Sequence, residues 1–440
     1  MIDFKQQREK YFAQMKDSSI ALFSSSKEMV RNNDCDFPFR QESGFLYLTG
    51  FNEPDAYLVL IKKDNVHQSI LFNRKKDESA EIWHGYRVGQ EEAVAEFGFD
   101  SAYENTEFAT KLPELLNGLD NLYFPIFKDE ALTALLTPIM NTLRGGKRRG
   151  TISPEQYHDC SPLLDELRLS KSEDEMVLMA TATEISSAGH IRAMQAVKPG
   201  MFEYQLEAEI VHEFTTKGAR FVAYNSIVAG GNNACCLHYT ENDATLQDGD
   251  LVLIDAGAEY QGYAGDITRT FPVNGKFSTE QALLYQLVLD IQVKAVSQVK
   301  VGAVMADINK QVLQTMVEGL VKLGLLSGDV DQLIKDKAYM AFYMHGIGHY
   351  IGLDVHDVGS YGTLVAPRAL TEGVVVTIEP GIYVSDTADV EDKWKGIGIR
   401  IEDDVVVTAN GPRVLSSDAP KTIEAIETLM REAKEARLNA

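Results

Sequence analysis

The sequence predicts an α+β protein in which an α/β domain, 1–168, precedes a larger domain, 169–440, made of two similar halves. Two observations predict this. Short strand-like and helical patterns alternate along the first part. Further on, two distant stretches read almost alike: Asp248-Gly249-Asp250-Leu-Val-Leu-Ile254-Asp255 and Glu372-Gly373-Val374-Val-Val-Thr-Ile378-Glu379. Each opens on an acidic residue and Gly, and each closes an apolar run with Ile and a carboxylate. A carboxylate ending a buried strand is costly unless it is paired or coordinated. Two in equivalent places point to a duplicated unit converging on one charged ligand, a metal.

In the first domain the candidate strands are 19–23, 45–48, 56–61 and 69–72, and the helical patterns cover about 3–16, 90–96, 107–117 and 128–144. The alternation ends near Leu163-Leu-Asp-Glu-Leu-Arg168. Ser172-Glu-Asp-Glu175 is then a capping box that opens a long helix to Val197. Val197-Lys198-Pro199-Gly200 breaks it, a second helix runs to about Lys217, and strands follow at 222–228, 251–258 and 263–272. The order then begins again. Ser278-x-x-Gln281 caps a helix, Val299-Lys300-Val301-Gly302 breaks it, a helix covers 305–323, and strands cover 374–379, 381–384 and 397–407, with a last helix over about 421–437. The repeated order predicts two halves about a pseudo-twofold axis with the site between them.

Composition narrows the class. The 440 residues allow two cores, and a net charge of −23 repels nucleic acid and anionic lipid. No run approaches the roughly 18 apolar residues of a membrane span, and the first residues read as a helix rather than a signal peptide. Cys35, Cys160, Cys235 and Cys236 form no C-x-x-C, so reduced thiols and a cytoplasmic location are expected.

Chemistry concentrates in the repeated half. If Tyr260-Gln261 forms the loop of the first hairpin, Asp255 and Asp266 are direct cross-strand neighbours, about 5 Å apart at Cβ, and a slipped register leaves them diagonal but on the same side. Like charges so close call for a cation. In Gly396-Ile-Gly-Ile-Arg400-Ile-Glu402 the period of a half-buried strand places Arg400 and Glu402 on one face, where Arg400 could pair with Glu402, a structural role compatible with a metal site. Segment 385–395 reads as a polar insertion. Met344-His345-Gly-Ile-Gly-His349-Tyr-Ile-Gly-Leu-Asp-Val-His356 is too glycine-rich for a helix, so His345 and His349 are not a helical zinc pair. Its glycines point to backbone packed closely against something. His238 precedes the first carboxylate strand, and the other five histidines read as ordinary surface or core residues. Asp255, Asp266, Glu379 and Glu402 carry four negative charges, which match two divalent cations completed by one imidazole and a bridging hydroxide. Oxygen-rich ligation favours Mn²⁺, Mg²⁺ or Co²⁺, and a metal pair suits hydrolysis.

At these residues the chain resembles the pita-bread metallopeptidases. Its first domain, through Arg40-Gln41-Glu-Ser-Gly-Phe-Leu-Tyr-Leu-Thr-Gly50-Phe-Asn-Glu-Pro54 and Glu81-Ile-Trp83-His-Gly, resembles the creatinase-like domain of the bacterial Xaa-Pro aminopeptidase family. The resemblance implies two Mn²⁺ ions held by Asp255, Asp266, His349, Glu379 and Glu402, with Asp266 and Glu402 bridging. It implies that His238 and His356 contact the scissile peptide, that His345 lines a proline pocket with Tyr383 and Arg400, and that Glu379 moves protons. The substrate it implies is a peptide with proline at position 2. The first domain would limit access to the chain end and build a homo-oligomer, dimer or tetramer. Trp83 is weighed as a core residue against one reaching a neighbouring subunit. A prolidase, accepting dipeptides only, is the alternative reading. A non-catalytic binding protein and a metal-free creatinase-like hydrolase would be expected to lack ligands, and none is missing. A methionine aminopeptidase should lack the first domain.

Overall fold

The computed structural model describes residues 2–439, and the chain divides into two compact units, Met1–Arg168 and Leu169–Ala440. In the first unit a six-stranded sheet runs in the order Ser101–Glu104, Val66–Asn73, Tyr57–Lys63, Ser19–Ser24, Asn121–Phe124, Gln156–Asp159. Ser19–Ser24 is antiparallel to Tyr57–Lys63 but parallel to Asn121–Phe124. Ile20, Leu22, Val59, Ile70 and Phe72 project from one face onto the apolar stripes of helices Phe108–Leu116 and Glu130–Gly145. The alternate-residue spacing of the first set and the helical spacing of the second build that core.

One predicted strand is a helix. Phe45–Leu48 lies inside helix Ser43–Thr49. The Glu42 side chain caps it by accepting from the Phe45 amide at 2.6 Å, and Gly50 ends it in the left-handed conformation. A four-residue apolar run cannot distinguish the two states, and here the flanking caps decide. The three outer strands 101–104, 121–124 and 156–159 were not legible from pattern either. Trp83, on helix Glu78–His84, is 82% exposed, so the core reading does not hold.

The second unit follows the duplicated plan. Ser172 and Ser278 both form capping boxes, opening helices Glu173–Ala196 and Thr279–Val296. Each helix is followed by a partner, Glu203–Thr216 and Met305–Lys322. Strand Leu251–Asp255 pairs with Thr268–Pro272, and Val375–Ile378 pairs with Asp403–Thr408. Each pair encloses a smaller hairpin, Ala258–Tyr260 with Tyr263–Ala264 and Gly381–Val384 with Ile397–Arg400. One apolar cluster, including Ile254, Phe271, Val376, Ile378 and Val405, joins strands and helices from both halves.

The predicted strands 222–228, 251–258, 263–272 and 397–407 are all interrupted. The regular ladders stop across 223–226, 256–257, 265–267 and 401–402, where only scattered backbone bonds remain. Tyr224, Asp266 and Glu402 lie in these gaps, while Asp255 and Glu379 sit at strand ends. The backbone leaves the ladder where an acidic or hydroxyl side chain must turn to a common point.

Candidate metal centre

The hairpin register differs from expectation. Tyr260 pairs with Tyr263 and Asp255 with Thr268, so the turn is Gln261-Gly262. Both turn residues have positive φ, 50° and 89°, the two-residue turn whose twist suits a hairpin. Gly262, able to take that conformation freely, is the signal that locates it. Asp255 and Asp266 are therefore diagonal, as in the slipped register, rather than direct neighbours. They are joined instead by Tyr224, whose hydroxyl lies 2.5 Å from Oδ1 of each.

Arg400 also differs from expectation. Its Nη2 donates to Asp255 Oδ2 at 2.6 Å, Nη1 to the Tyr383 hydroxyl at 2.9 Å, and Nε to Thr268 Oγ1 at 3.1 Å. Glu402 is not its salt-bridge partner and accepts from Thr268 Oγ1 at 2.6 Å. Both side chains meet at Thr268 Oγ1, so they share a face as alternation predicts, but Asp255 takes the guanidinium.

His345 and His349 lie outside any helix, as expected. Gly348 packs so closely on strand Val375–Ile378 that a Cβ would come 1.9 Å from Thr377 O, whereas Gly346 faces open space. His349 Nδ1 bonds Tyr350 O at 3.0 Å, and its Nε2 lies 3.5 Å from Asp266 Oδ2 and 3.7 Å from Glu379 Oε1. A carbonyl on one ring nitrogen leaves the other to face the carboxylates, the orientation of an imidazole ligand. Asp266, His349 and Glu402 offer ligand atoms all within 4.8 Å of one another. Thr377 Oγ1 accepts from the His349 amide at 3.1 Å and reaches Glu379 Oε1 at 3.4 Å.

These groups line a 730 Å³ cavity with His238, His345, His356, Arg400 and Tyr224. The rings of His349 and His356 stack at 3.9 Å. His345 Nε2 lies 2.8 Å from the Tyr383 hydroxyl. Tyr383 itself is buried behind His345, packed on Ile227, Ala229 and Leu253, rather than at the cavity surface.

The electrostatics fit divalent cations. Burial pushes Asp255 up despite Arg400, and pushes Glu379 up to about 7 against the pull of His349 and Arg400. Burial and then the Asp266 charge lift Glu402 well above the carboxylate range. Burial also opposes ionisation of Asp266, but the bond and charge of His349 outweigh it and hold this carboxyl low. Burial opposes a charge on His349 too, yet Asp266 raises it to about 9. The protein alone thus retains protons where the carboxylates converge. One Tyr224 proton cannot satisfy both aspartates at 2.5 Å. Metal ions binding such a set displace those protons and supply the missing positive charge.

Several supporting residues carried no sequence signal. Tyr224 comes to the site in a ladder break, and Thr268 from the strand end paired with Asp255. Arg269, fully buried, donates to Glu402 O at 2.6 Å and to Asp403 Oδ1 at 2.7 Å. Glu203, also fully buried, accepts from the Gly230 amide, Asn233, Tyr239 and the Ala244 amide, closing the loop that carries His238. Of the histidines read as ordinary, His190 is a core residue, its Nε2 bonded to Ala256 O at 3.0 Å.

A duplicated fold with an acidic, histidine-containing centre between its halves defines a metallopeptidase. The chain belongs to metallopeptidase family M24, whose family model matches residues 177–409, and residues 4–123 match the aminopeptidase P N-terminal domain. It is 49% identical to Xaa-Pro aminopeptidase of Haemophilus influenzae and 47% identical to that of Escherichia coli K12, covering 97% and 98% of both chains respectively. It superposes on a solved structure of zinc-substituted E. coli aminopeptidase P in complex with product with TM-score 0.96 and 46% identity, over 98% of each chain. Proline aminopeptidase P II from Yersinia pestis is similar at TM-score 0.95 and 47% identity.

Proposed function

We propose that this enzyme is an Xaa-Pro aminopeptidase that removes the N-terminal residue from peptides with proline at position 2. The observation that carries the reading is the convergence of Asp266, His349 and Glu402 beside Asp255 and Glu379, in a chain nearly half identical over its length to two bacterial Xaa-Pro aminopeptidases. Asp255, Asp266, His349, Glu379 and Glu402 would hold two divalent ions, Mn²⁺ in our reading, with Asp266 and Glu402 shared. What bound metal supplies there is a nucleophilic water at neutral pH and polarisation of the attacked carbonyl.

The chain's own residues do the rest. Glu379, on the cavity wall, is assigned to take a proton from the attacking water and pass it to the leaving proline nitrogen. His238 and His356, both on the cavity wall, would donate to the peptide as charge develops on its oxygen. His345, backed by Tyr383 and Arg400, forms the wall against the proline ring. A peptide bond before proline has no N–H to donate, so recognition falls on the carbonyl and the ring. Burial holds His345 down at about 4, so it meets the ring as a neutral imidazole.

The first unit, 1–168, is assigned to limiting access to the chain end and to forming a homo-oligomer, in a cytoplasmic enzyme. No described helix is long and apolar enough to cross a membrane. Sedimentation of the purified protein tests the oligomer, and a monomer at micromolar concentration would contradict it. The activity is tested by loading metal-free protein with Mn²⁺ and comparing an Xaa-Pro dipeptide with Xaa-Pro-Yaa peptides. Cleavage of the longer peptides is expected. Cleavage of the dipeptide alone would turn the assignment to a prolidase, and hydrolysis of neither, with metal bound, would remove it.

A further inference from the structure

Lys171 and Asp357 form an ion pair remote in sequence from each other, with both side chains 1% exposed and Nζ 2.8 Å from Oδ2. Removing such a pair from water carries a large desolvation cost, so its position needs a reason. Lys171 precedes the first long helix, and its backbone amide donates to Gly373 O at 2.9 Å, just ahead of the strand that leads to Glu379. Its Nζ also donates to Leu169 O at 3.2 Å.

At the other end, the Asp357 amide donates to Tyr350 O at 2.8 Å. The same carbonyl takes the Nδ1 bond of His349 at 3.0 Å. Loop 350–357 is therefore closed at its base, and the residue before Asp357 is His356, stacked on His349 at 3.9 Å. Gly352 fills the loop interior: a Cβ there would meet Asp357 Oδ2 at 2.2 Å and Lys171 Cε at 2.8 Å. Gly352 O in turn accepts from the Ala264 amide at 2.9 Å, two residues before Asp266. Lys171 thus joins the approach to Glu379, through its amide, to the histidine loop, through its ammonium, and Gly352 of that loop meets the Asp266 segment.

We infer that Lys171, acting through Asp357, is a positioning residue that holds His356 against His349 at the peptide-binding wall of the cavity. The inference rests on the proposed function for the role of His356, but not for the contact itself. Loss of Lys171 removes both the ion pair to Asp357 and the lysine chain packed on Gly352, so loop 350–357 loses its anchor and His356 leaves the stack. Substrate affinity, drawn mainly from the metal ligands and the His345 wall, changes little.

The test pairs kinetics with a signal from His356. In Lys171→Met, kcat on an Xaa-Pro-Yaa peptide should fall about 100-fold while KM stays within about threefold, the effect expected of a group displaced by an ångström. In zinc-loaded protein labelled with ¹³Cε1-histidine, the His356 resonance, assigned by loss in His356→Gln, should leave its ring-current-shifted position. Lys171→Arg should restore both readouts. If Lys171→Met does not fold, Lys171→Met/Asp357→Asn removes both charges and carries the same test. A folded variant with an unmoved His356 resonance, or with kcat within about threefold of the parent, overturns the inference. Inactivity of the parent on Xaa-Pro peptides would sink the functional reading instead, leaving the resonance to decide whether Lys171 holds His356.

Discussion

Thr268 donates its hydroxyl to Glu402 at 2.6 Å, and the two residues hold equivalent places in the two halves. Register establishes this: Arg269 lies opposite Ile254 and Asp403 opposite Ile378, so the residues before them correspond as well. The Glu402 amide also donates to Thr268 O at 3.1 Å. Equivalent residues that touch each other straddle a twofold axis. The site is consequently less symmetric than its strands. The counterpart of Glu402 is a threonine, and the counterpart of Asp266 is Arg400. Thr268→Val keeps the shape but removes the donor to Glu402 and the acceptor of Arg400. It should cost about 1–3 kcal/mol of stability and weaken metal affinity about 10- to 100-fold. Urea unfolding and metal titration measure both, and unchanged metal affinity would contradict the role.

Arg269 and Asp403, the next equivalent pair, have fully buried side chains 2.7 Å apart. Arg269→Met alone should cost about 3–5 kcal/mol, because it leaves Asp403 with Lys421 as its one cation and strips Glu402 O and Ala419 O of their buried donor. Arg269→Met/Asp403→Leu should recover much of that loss in the same unfolding assay. A purely additive cycle would show that the pair is not coupled.

Asp266→Asn should lose metal and activity while far-UV circular dichroism stays that of the parent. Metal content by mass spectrometry decides the matter. Full activity with bound metal would exclude the bridging role.

Gly257 follows the first carboxylate strand, and a Cβ there would lie 1.7 Å from Gly265 O. Only a bare backbone lets the segments bearing Asp255 and Asp266 approach so closely. Gly257→Ala should separate them, costing about 1–3 kcal/mol or more and abolishing metal retention on gel filtration.

Burial pushes the Cys235 thiol up to about 12, so almost none of it is thiolate at pH 8. Peptide mapping after brief maleimide treatment should find Cys235 unmodified and the exposed Cys35 labelled. Raising the pH should increase Cys235 labelling, because the thiolate fraction grows toward that value.

Much of the catalytic unit was legible without coordinates. The capping boxes at Ser172 and Ser278, the glycine-broken helix pairs and the two carboxylate-ended strands are local signals, carried by side chains that cap, break or bury within a few residues of themselves. Those signals determined the duplication, and the residue types at its strand ends determined that the centre would be acidic. The substrate class came from motifs in the first domain and from resemblance, because no local rule links proline to a carboxylate strand. Tertiary structure alone decided the wiring. Asp255 and Asp266 meet through Tyr224 rather than across a ladder, Arg400 takes Asp255 rather than Glu402, and Lys171 reaches Asp357 across the unit. The first depends on where the ladder stops and the chain turns inward, the others on side chains brought together from distant segments. Sequence periodicity assumes an unbroken strand, and in this protein the strands break at the functional residues.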